Sequence, residues 1–436
     1  MSHSHALSSE QRLWRSKILV STFAAYAGYY LVRKVFTICK STIAAPVEEG
    51  GYGFGYEGVA TIWTAFLIAY MVGQFASSFL GRKWGPRVLL LGGLAISMAC
   101  NIVFGFTNSY ATFLVFMIFN GLVQAAGWPA SVGAVAQWLR KEDRGTIMGF
   151  WSSSYVVGNI VVKSLAGFLL LHYGVEYAFL GCTLLTFAIW WLVYFWQRTK
   201  PEDVGLPPIV GEEEHEDQSV RGVDSESIKF ADYLRLAFHP LILCMGCCYF
   251  CIKFLRYALD SWLPTFLDLQ GMDVANAAYY STIFDWAGLA GAILAGIAMD
   301  RLFDGRWERL CLLLGIGMVA AYVSVVMFGA HPVALAFCFG LVGFTLYGPD
   351  TILCGAGAVV VAGERNAVAV AGIINGVGSI GPVVQEQVIG RLLDGHEPAQ
   401  AIQNSNMLGL SISILYLIFM SMIVVGIAAQ RRRRAQ

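Results

Sequence analysis

Charged side chains are scarce in this sequence. Of 436 residues only 13% are Asp, Glu, Lys or Arg, while 57% are hydrophobic and the mean hydropathy is +0.62. That poverty excludes an ordinary soluble domain and suits a chain that crosses a bilayer repeatedly. An excess of one sign is missing too, since 29 basic residues balance 29 acidic ones, which argues against nucleic acid as a partner. Metal-ligand patterns are absent: Cys244, Cys247, Cys248 and Cys251 recur at helical spacing on one apolar stripe, but no histidine or loop geometry accompanies them. The ten cysteines therefore read as buried free thiols. No nucleophile–base pair stands out, so neither catalysis nor a cofactor is expected. Gly51, Gly53 and Gly55 imitate a nucleotide-binding loop, yet no strand precedes them. The polar opening from Met1 to Ser16 gives no sign of a cleavable signal peptide.

What the sequence has in abundance is apolar runs of about 20 residues, the length that crosses hydrocarbon. They fall near 18–45, 57–80, 87–106, 110–137, 146–171, 175–197, 239–268, 276–300, 309–329, 331–354, 364–391 and 402–430. The longest break, 198–238, holds Glu212, Glu213, Glu214, Glu216 and Asp217 and reads as a flexible linker. The expectation is an all-α membrane protein of two six-helix bundles, 1–197 and 239–436, joined by 198–238.

Charge alternates between successive connections. Arg12, Arg15 and Lys17, then Arg82, Lys83 and Arg87, then Arg140, Lys141 and Arg144 lie on one side. Arg198, Lys200, Arg301, Arg306, Arg309, Arg365 and the run Arg431 to Arg434 join them. The opposite connections carry Glu48, Glu49, Glu57, His172, Glu176, Asp268 and Asp273, with only Lys40 and Arg391, near helix ends, as cations. The positive-inside rule places both termini and the linker in the cytoplasm.

The chain is also written twice. Gly127-Trp128-Pro129 and Tyr347-Gly348-Pro349 have prolines 220 positions apart, and each precedes an arginine, Arg144 or Arg365. Arg33 and Arg256, both inside apolar runs, are separated by 223. A guanidinium at membrane depth costs roughly 2.5–3.5 kcal/mol on insertion scales, so it usually faces a watery cavity with a task there. On one helix face Tyr26 and Tyr30 precede Arg33 at i, i+4 and i+7; the same shift gives Tyr249, Lys253 and Arg256, with Asp260 a turn beyond. The bland alternative is tyrosines packing between helices and arginines snorkelling to an interface. Repeated six-helix units with a site between them are how transporters of the major facilitator architecture are built. Guanidinium can grip two phosphate oxygens at once, and three cations suit a phosphate dianion better than a monoanion, although a carboxylate ligand also fits.

The pattern Tyr29-Tyr30-Leu31-Val32-Arg33-Lys34, Gly127-Trp128-Pro129, Arg144-Gly145, Trp151 with Gly158-Asn159, Arg256, and Pro201-Glu202-Asp203-Val204-Gly205-Leu206-Pro207-Pro208 resembles the organophosphate:phosphate antiporters. These form a branch of the major facilitator superfamily with a twelve-helix fold in two pseudo-symmetric bundles. Phe66-Leu67-Ile68-Ala69-Tyr70 and Asn120-Gly121-Leu122-Val123-Gln124 are most similar to the eukaryotic sugar-phosphate exchangers. The resemblance implies that Arg33 and Arg256 hold phosphate while Tyr26 and Tyr30 line the path. It departs at Gln74 and Tyr155, where bacterial glycerol-3-phosphate transporters carry lysine and histidine, and at Arg82, where an acidic residue is expected. Lys253 resembles a lysine of the eukaryotic exchangers. Exchange of a sugar phosphate or glycerol phosphate for inorganic phosphate is implied, with a monomer expected; compact loops and the lack of a retention signal point to a plasma membrane such as the bacterial inner membrane, and the exchanger-like segments to the endoplasmic reticulum as the alternative.

Other intramembrane polar groups invite roles. Gln74, Gln124, Tyr155, Tyr249 and Asn375 are candidates to line the substrate path. Asp285 could pair with Arg256 or Lys253, while Lys163 and Glu386, again 223 apart, suggest a structural ion pair. Asp350 reads either as a proton carrier or as a capping group. Two other functions stay open: a membrane sensor of a phosphorylated sugar, and a proton-coupled organic-anion carrier using Asp285, Asp350 or Glu386.

Overall fold

A computed structural model describes residues 7–139, 147–148, 150–151, 153–209 and 236–435, with the backbone alone at 75–83, 136, 355–356, 359, 362–369 and 430–435. Arg140, Lys141, Arg144 and the acidic stretch 212–217 lie outside these residues, as do the side chains of Arg82, Lys83, Arg365 and Arg431 to Arg434.

The described chain is helical: α1 Ser9–Ile38, α2 Lys40–Ala44, α3 Gly55–Phe104, α4 Tyr110–Gln124, α5 Gly127–Ala136, α6 Ser154–Tyr173, α7 Val175–Trp196, α8 Pro240–Leu269, α9 Val274–Arg301, α10 Trp307–Phe328, α11 Pro332–Ile352, α12 Ala358–Gly378, α13 Ile380–Gly395 and α14 Pro398–Ala435. Ten stretches among the described residues are long and apolar enough to span a membrane. Two of them, Gly55–Gln74 and Trp84–Phe104, lie on the one long helix α3. Gly85, at the start of the second stretch, breaks the helix with φ 75°, a conformation that suits glycine, and Pro86 follows it. α1, with its internal charges, and the interrupted pair α12 and α13 bring the membrane segments to twelve.

Helix ends follow local chemistry. Ser8 and Gln11 form a capping box at α1, with bonds of 3.1 and 3.0 Å. Ser109 caps α4 through the Thr112 N–H at 3.4 Å, and Asp273 caps α9 through the Asn276 N–H at 2.9 Å. The start of the expected linker is ordered. Pro201–Val204 forms a 3-10 turn, Asp203 accepts from the Thr199 and Lys200 N–H groups at 3.0 and 3.1 Å, and Gly205 closes it at φ 74°.

Two compact units emerge. One comprises Met1–Cys39 and Ala65–Ser227, the other Lys40–Thr64 and Ile228–Gln436. The segment 40–64, which the sequence places in the first bundle, thus packs with the second set of helices. Within the first unit α1 lies against α5, α6 and α7. Asn101 donates to the Val32 carbonyl at 2.7 Å, and Tyr29 to the Leu90 carbonyl at 3.1 Å, tying α3 to α1. Within the second, α8 packs on α12, α13 and α14, and α11 on α9 and α10. Small residues let backbones approach, as membrane helices require. A Cβ at Gly291 of α9 would come 2.0 Å from the Phe344 carbonyl oxygen of α11.

Candidate functional site

In the first unit the face of α1 carrying Tyr26, Tyr30 and Arg33 meets a set of aromatic and amide groups. Arg33 Nε donates to Gln124 Oε1 at 2.8 Å, and Gln124 Nε2 donates in turn to Asn120 Oδ1 at 3.1 Å. Gln124 and Asn120 are buried one turn apart on α4. The guanidinium lies 4.8 Å from the Tyr30 ring, 4.9 Å from Tyr70 and 5.9 Å from Phe66. Such ring faces attract a cation without consuming its N–H donors. Tyr30 neighbours Tyr155 at 6.1 Å and Tyr26 at 5.7 Å; Tyr26 continues to Trp128 at 5.1 Å and Trp151 at 5.9 Å. Trp151 is anchored by donating to Thr22 Oγ1 at 3.1 Å. Gly158 permits the approach of α6, because a Cβ there would lie 2.9 Å from Ala27 and Tyr30. Gln74 is exposed on α3, and Lys163 is buried on α6.

In the second unit the matching face of α8 has a different lining. Lys253 Nζ donates to Asn375 Oδ1 at 2.7 Å and Ser379 Oγ at 3.1 Å, and it lies 5.1 Å from the Tyr249 ring. Arg256 forms an ion pair with Asp350 through its NH1 nitrogen. Its guanidinium stacks 4.6 Å from Tyr347, whose ring meets Phe284 edge-on at 5.6 Å. The Arg256 side chain is 22% exposed and that of Asp350 6%. Asp285 is buried on α9 beside Phe284. Asp350 is thus a carboxylate that meets Arg256, a partnership the sequence reading assigned to Asp285 alone. Its reading as a mere capping group is replaced by a side-chain ion pair.

The expected pairing of Lys163 with Glu386 is corrected. Glu386 of α13 pairs with Lys40 of α2, and both side chains are fully buried. Lys40 also donates to Ser261 Oγ at 2.6 Å, Ser261 donates to Glu386 Oε2 at 3.1 Å, and Gln385 Nε2 donates to the same oxygen at 3.0 Å. The Trp262 ring lies 3.7 Å from the Lys40 ammonium. Arg391 pairs with Glu57 at 3.2 Å, and Asp394 accepts the N–H groups of Tyr56 and Glu57 at 2.7 and 2.6 Å. The two cations of the otherwise acidic connections therefore have carboxylate partners, one buried and one exposed. Carboxylates belong at that helix N-terminus because its backbone donors and dipole favour negative charge.

Phe66, Tyr70 and Asn120 entered the sequence reading only as parts of a resemblance, and Trp128 as part of that and of the repeat, yet they surround α1. Tyr347 and Ser379 were missed as neighbours of the cations. Their signal was present: Tyr347 sits at i−3 from Asp350, and Ser379 at i+4 from Asn375, on shared helix faces.

Residues 18–385 match the Major Facilitator Superfamily. Sugar phosphate exchanger 3 of Mus musculus is 28% identical over 434 residues, covering 86% of this chain and 87% of that protein. Membrane sensor protein UhpC of Salmonella typhimurium is 27% identical over 357 residues, covering 80% and 79%. A probable hexose phosphate transport protein of Chlamydia pneumoniae is 26% identical over 360 residues, covering 78% and 77%. Among solved structures, a mutant form of the nucleoside transporter NupG superposes with a TM-score of 0.72 at 11% identity, over 94% of this chain and 99% of that one. The D-xylose-proton symporter does so with 0.67 at 14% identity, over 94% and 97%. At those identities the solved structures speak to the fold alone. The twelve-helix architecture and the resemblance to the organophosphate:phosphate antiporters are both borne out.

Proposed function

The chain belongs to the Major Facilitator Superfamily, and from that premise we propose that it exchanges an organophosphate, a sugar phosphate or glycerol phosphate, for inorganic phosphate by alternating access. Each repeat contributes one guanidinium to the phosphoryl group, Arg33 and Arg256, with Lys253 as a third cation. Tyr26, Tyr30, Gln74, Gln124, Tyr155, Tyr249 and Asn375 line the organic part. Both termini face the cytoplasm, and the carrier works as a monomer with no covalent step. The names of the curated relatives support the phosphorylated cargo.

The observation that carries this reading is the pair of arginines 223 positions apart within membrane helices, each stacked on tyrosine: Arg33 on Tyr30 and Tyr70, Arg256 on Tyr347. Stacking holds each fork in a fixed plane without using its N–H donors, and a guanidinium edge can grip two phosphate oxygens. Arg256 has its own carboxylate, so exchange rests on the loaded carrier crossing faster and not on an unbalanced charge in the empty one.

Purified protein in liposomes loaded with phosphate tests the reading. Labelled phosphate should enter by counterflow, and a panel of sugar phosphates and glycerol phosphate should compete. Arg33→Lys and Arg256→Lys should each abolish the signal while the protein elutes as a folded species. Normal counterflow in either variant refutes the assignment. Binding of sugar phosphate without movement of label would favour a sensor, the word in the UhpC name. Uptake driven by a pH gradient and indifferent to internal phosphate would favour a proton-coupled carrier.

A further inference from the structure

Resting on that phosphate-carrier reading, we propose that Asp350 is an intramolecular counter-anion that competes with the substrate phosphoryl group for Arg256. It thereby sets how strictly the carrier needs a counter-substrate.

The contact has the marks of a displaceable one. Asp350 is held by a single guanidinium nitrogen, NH1 of Arg256, and its other oxygen accepts no hydrogen bond from the described residues. A carboxylate held through one oxygen in a buried place is poorly compensated, and a phosphate gripping the fork at two points replaces it with better geometry. Arg256 is 22% exposed, so an incoming anion can reach it without unfolding α8. The backbone ladder around Asp350 is also irregular. Pro349 removes one N–H from α11, and a π-helical turn at Leu353–Gly357 follows at once. Interruptions of this kind recur at functional sites. The hydrogen-bond partners of Lys253 among the described residues, Asn375 and Ser379, are neutral, so that cation shares with Arg256 the charge of Asp350. An anion arriving there gains from Lys253 what it must contest with Asp350.

The consequence is twofold. Competition weakens phosphate binding in inverse proportion to the fraction of time the pair is open. It also gives the unloaded carrier a charge-balanced Arg256, so that reorientation without cargo is slowed less than bare charge would slow it. The chain should therefore show net uptake alongside exchange, and the ratio of the two should depend on Asp350.

The test compares wild type with Asp350→Asn, and with Asp350→Ser should Asn disturb packing. Inorganic phosphate is the probe in two measurements. Thermal stabilisation of the detergent-solubilised protein gives binding. Labelled phosphate entering liposomes with or without internal phosphate gives exchange and net uptake. The neutral variants should bind phosphate about tenfold more tightly, as expected if the pair forms roughly nine-tenths of the time. Their net uptake relative to exchange should fall by a similar factor, and Asp350→Glu should restore both. Unchanged or weaker phosphate binding in both neutral variants overturns the proposal, as does an unchanged ratio of net uptake to exchange. If wild type gives no counterflow while the neutral variants still bind phosphate more tightly, the exchange reading fails and the counter-anion stands.

Discussion

Arg33 and Arg256 occupy matching places in the two repeats, yet the amide of Gln124 meets the first and the carboxylate of Asp350 the second. Both guanidinium groups also lie over tyrosine rings. An aromatic face orients the fork and leaves its charge intact; so does an amide, which occupies one donor without neutralising it. A carboxylate cancels the charge it holds. One repeat thus presents a fixed donor array, whereas the other must trade one anion for another. Symmetry of sequence has been kept for the cation and given up for its partner.

Replacing either arginine by lysine should be the most damaging change. A point charge cannot reproduce the fork, and counterflow in liposomes should fall about 100-fold or more. A variant keeping near-normal rates would remove that side from the comparison. Gln124→Leu should raise the KM for phosphate about tenfold by freeing Arg33 and stranding Asn120. That sign is opposite to the one expected for Asp350→Asn, and equal signs would mean that the two partners do the same work. Lys253→Ala should raise the KM for organophosphate about fivefold, as loss of a charge-assisted contact predicts, and more than Gln74→Ala does. The reverse order would take Lys253 out of the site. Tyr70→Leu and Tyr347→Leu should each weaken phosphate binding by about 0.5–2 kcal/mol, with similar losses on the two sides.

The smallest effect belongs to a position outside both sites. Asp273 accepts from the Asn276 N–H at the start of α9, which holds its carboxyl below the usual range. A lowered folded value means that this stabilisation is present above the unfolded value and is lost as pH falls through the folded one. Asp273→Ala should lower the unfolding temperature slightly at neutral pH, and the gap should close in acid. Phosphate binding should follow wild type.

Much of this was legible in the sequence because bilayers penalise charge. An arginine inside an apolar run announces itself, and so do twelve runs of spanning length. Partners were harder to read. Whether Asp285 or Asp350 meets Arg256 depends on the rotation of α9 and α11 about their axes, and hydropathy carries no phase for helices apolar all round. Lys40 was misplaced for another reason. It stands at a helix end, where a lysine ordinarily reaches water, and only the packing of 40–64 against α8 and α13 shows it fully buried on Glu386. The offset of 223 that found the arginines misled at Lys163 and Glu386, because a repeat relates equivalent positions and says nothing about which of them touch.

The fully buried bond between Lys40 and Glu386 bears on how such a carrier could be cut apart. A fragment beginning at the linker would enclose the Glu386 carboxylate and the Ser261 hydroxyl with no ammonium to satisfy them, a deficit on the order of 3–5 kcal/mol. The back half of the polypeptide therefore needs a few residues made long before it. During synthesis its final packing must wait for a piece that left the ribosome two hundred residues earlier.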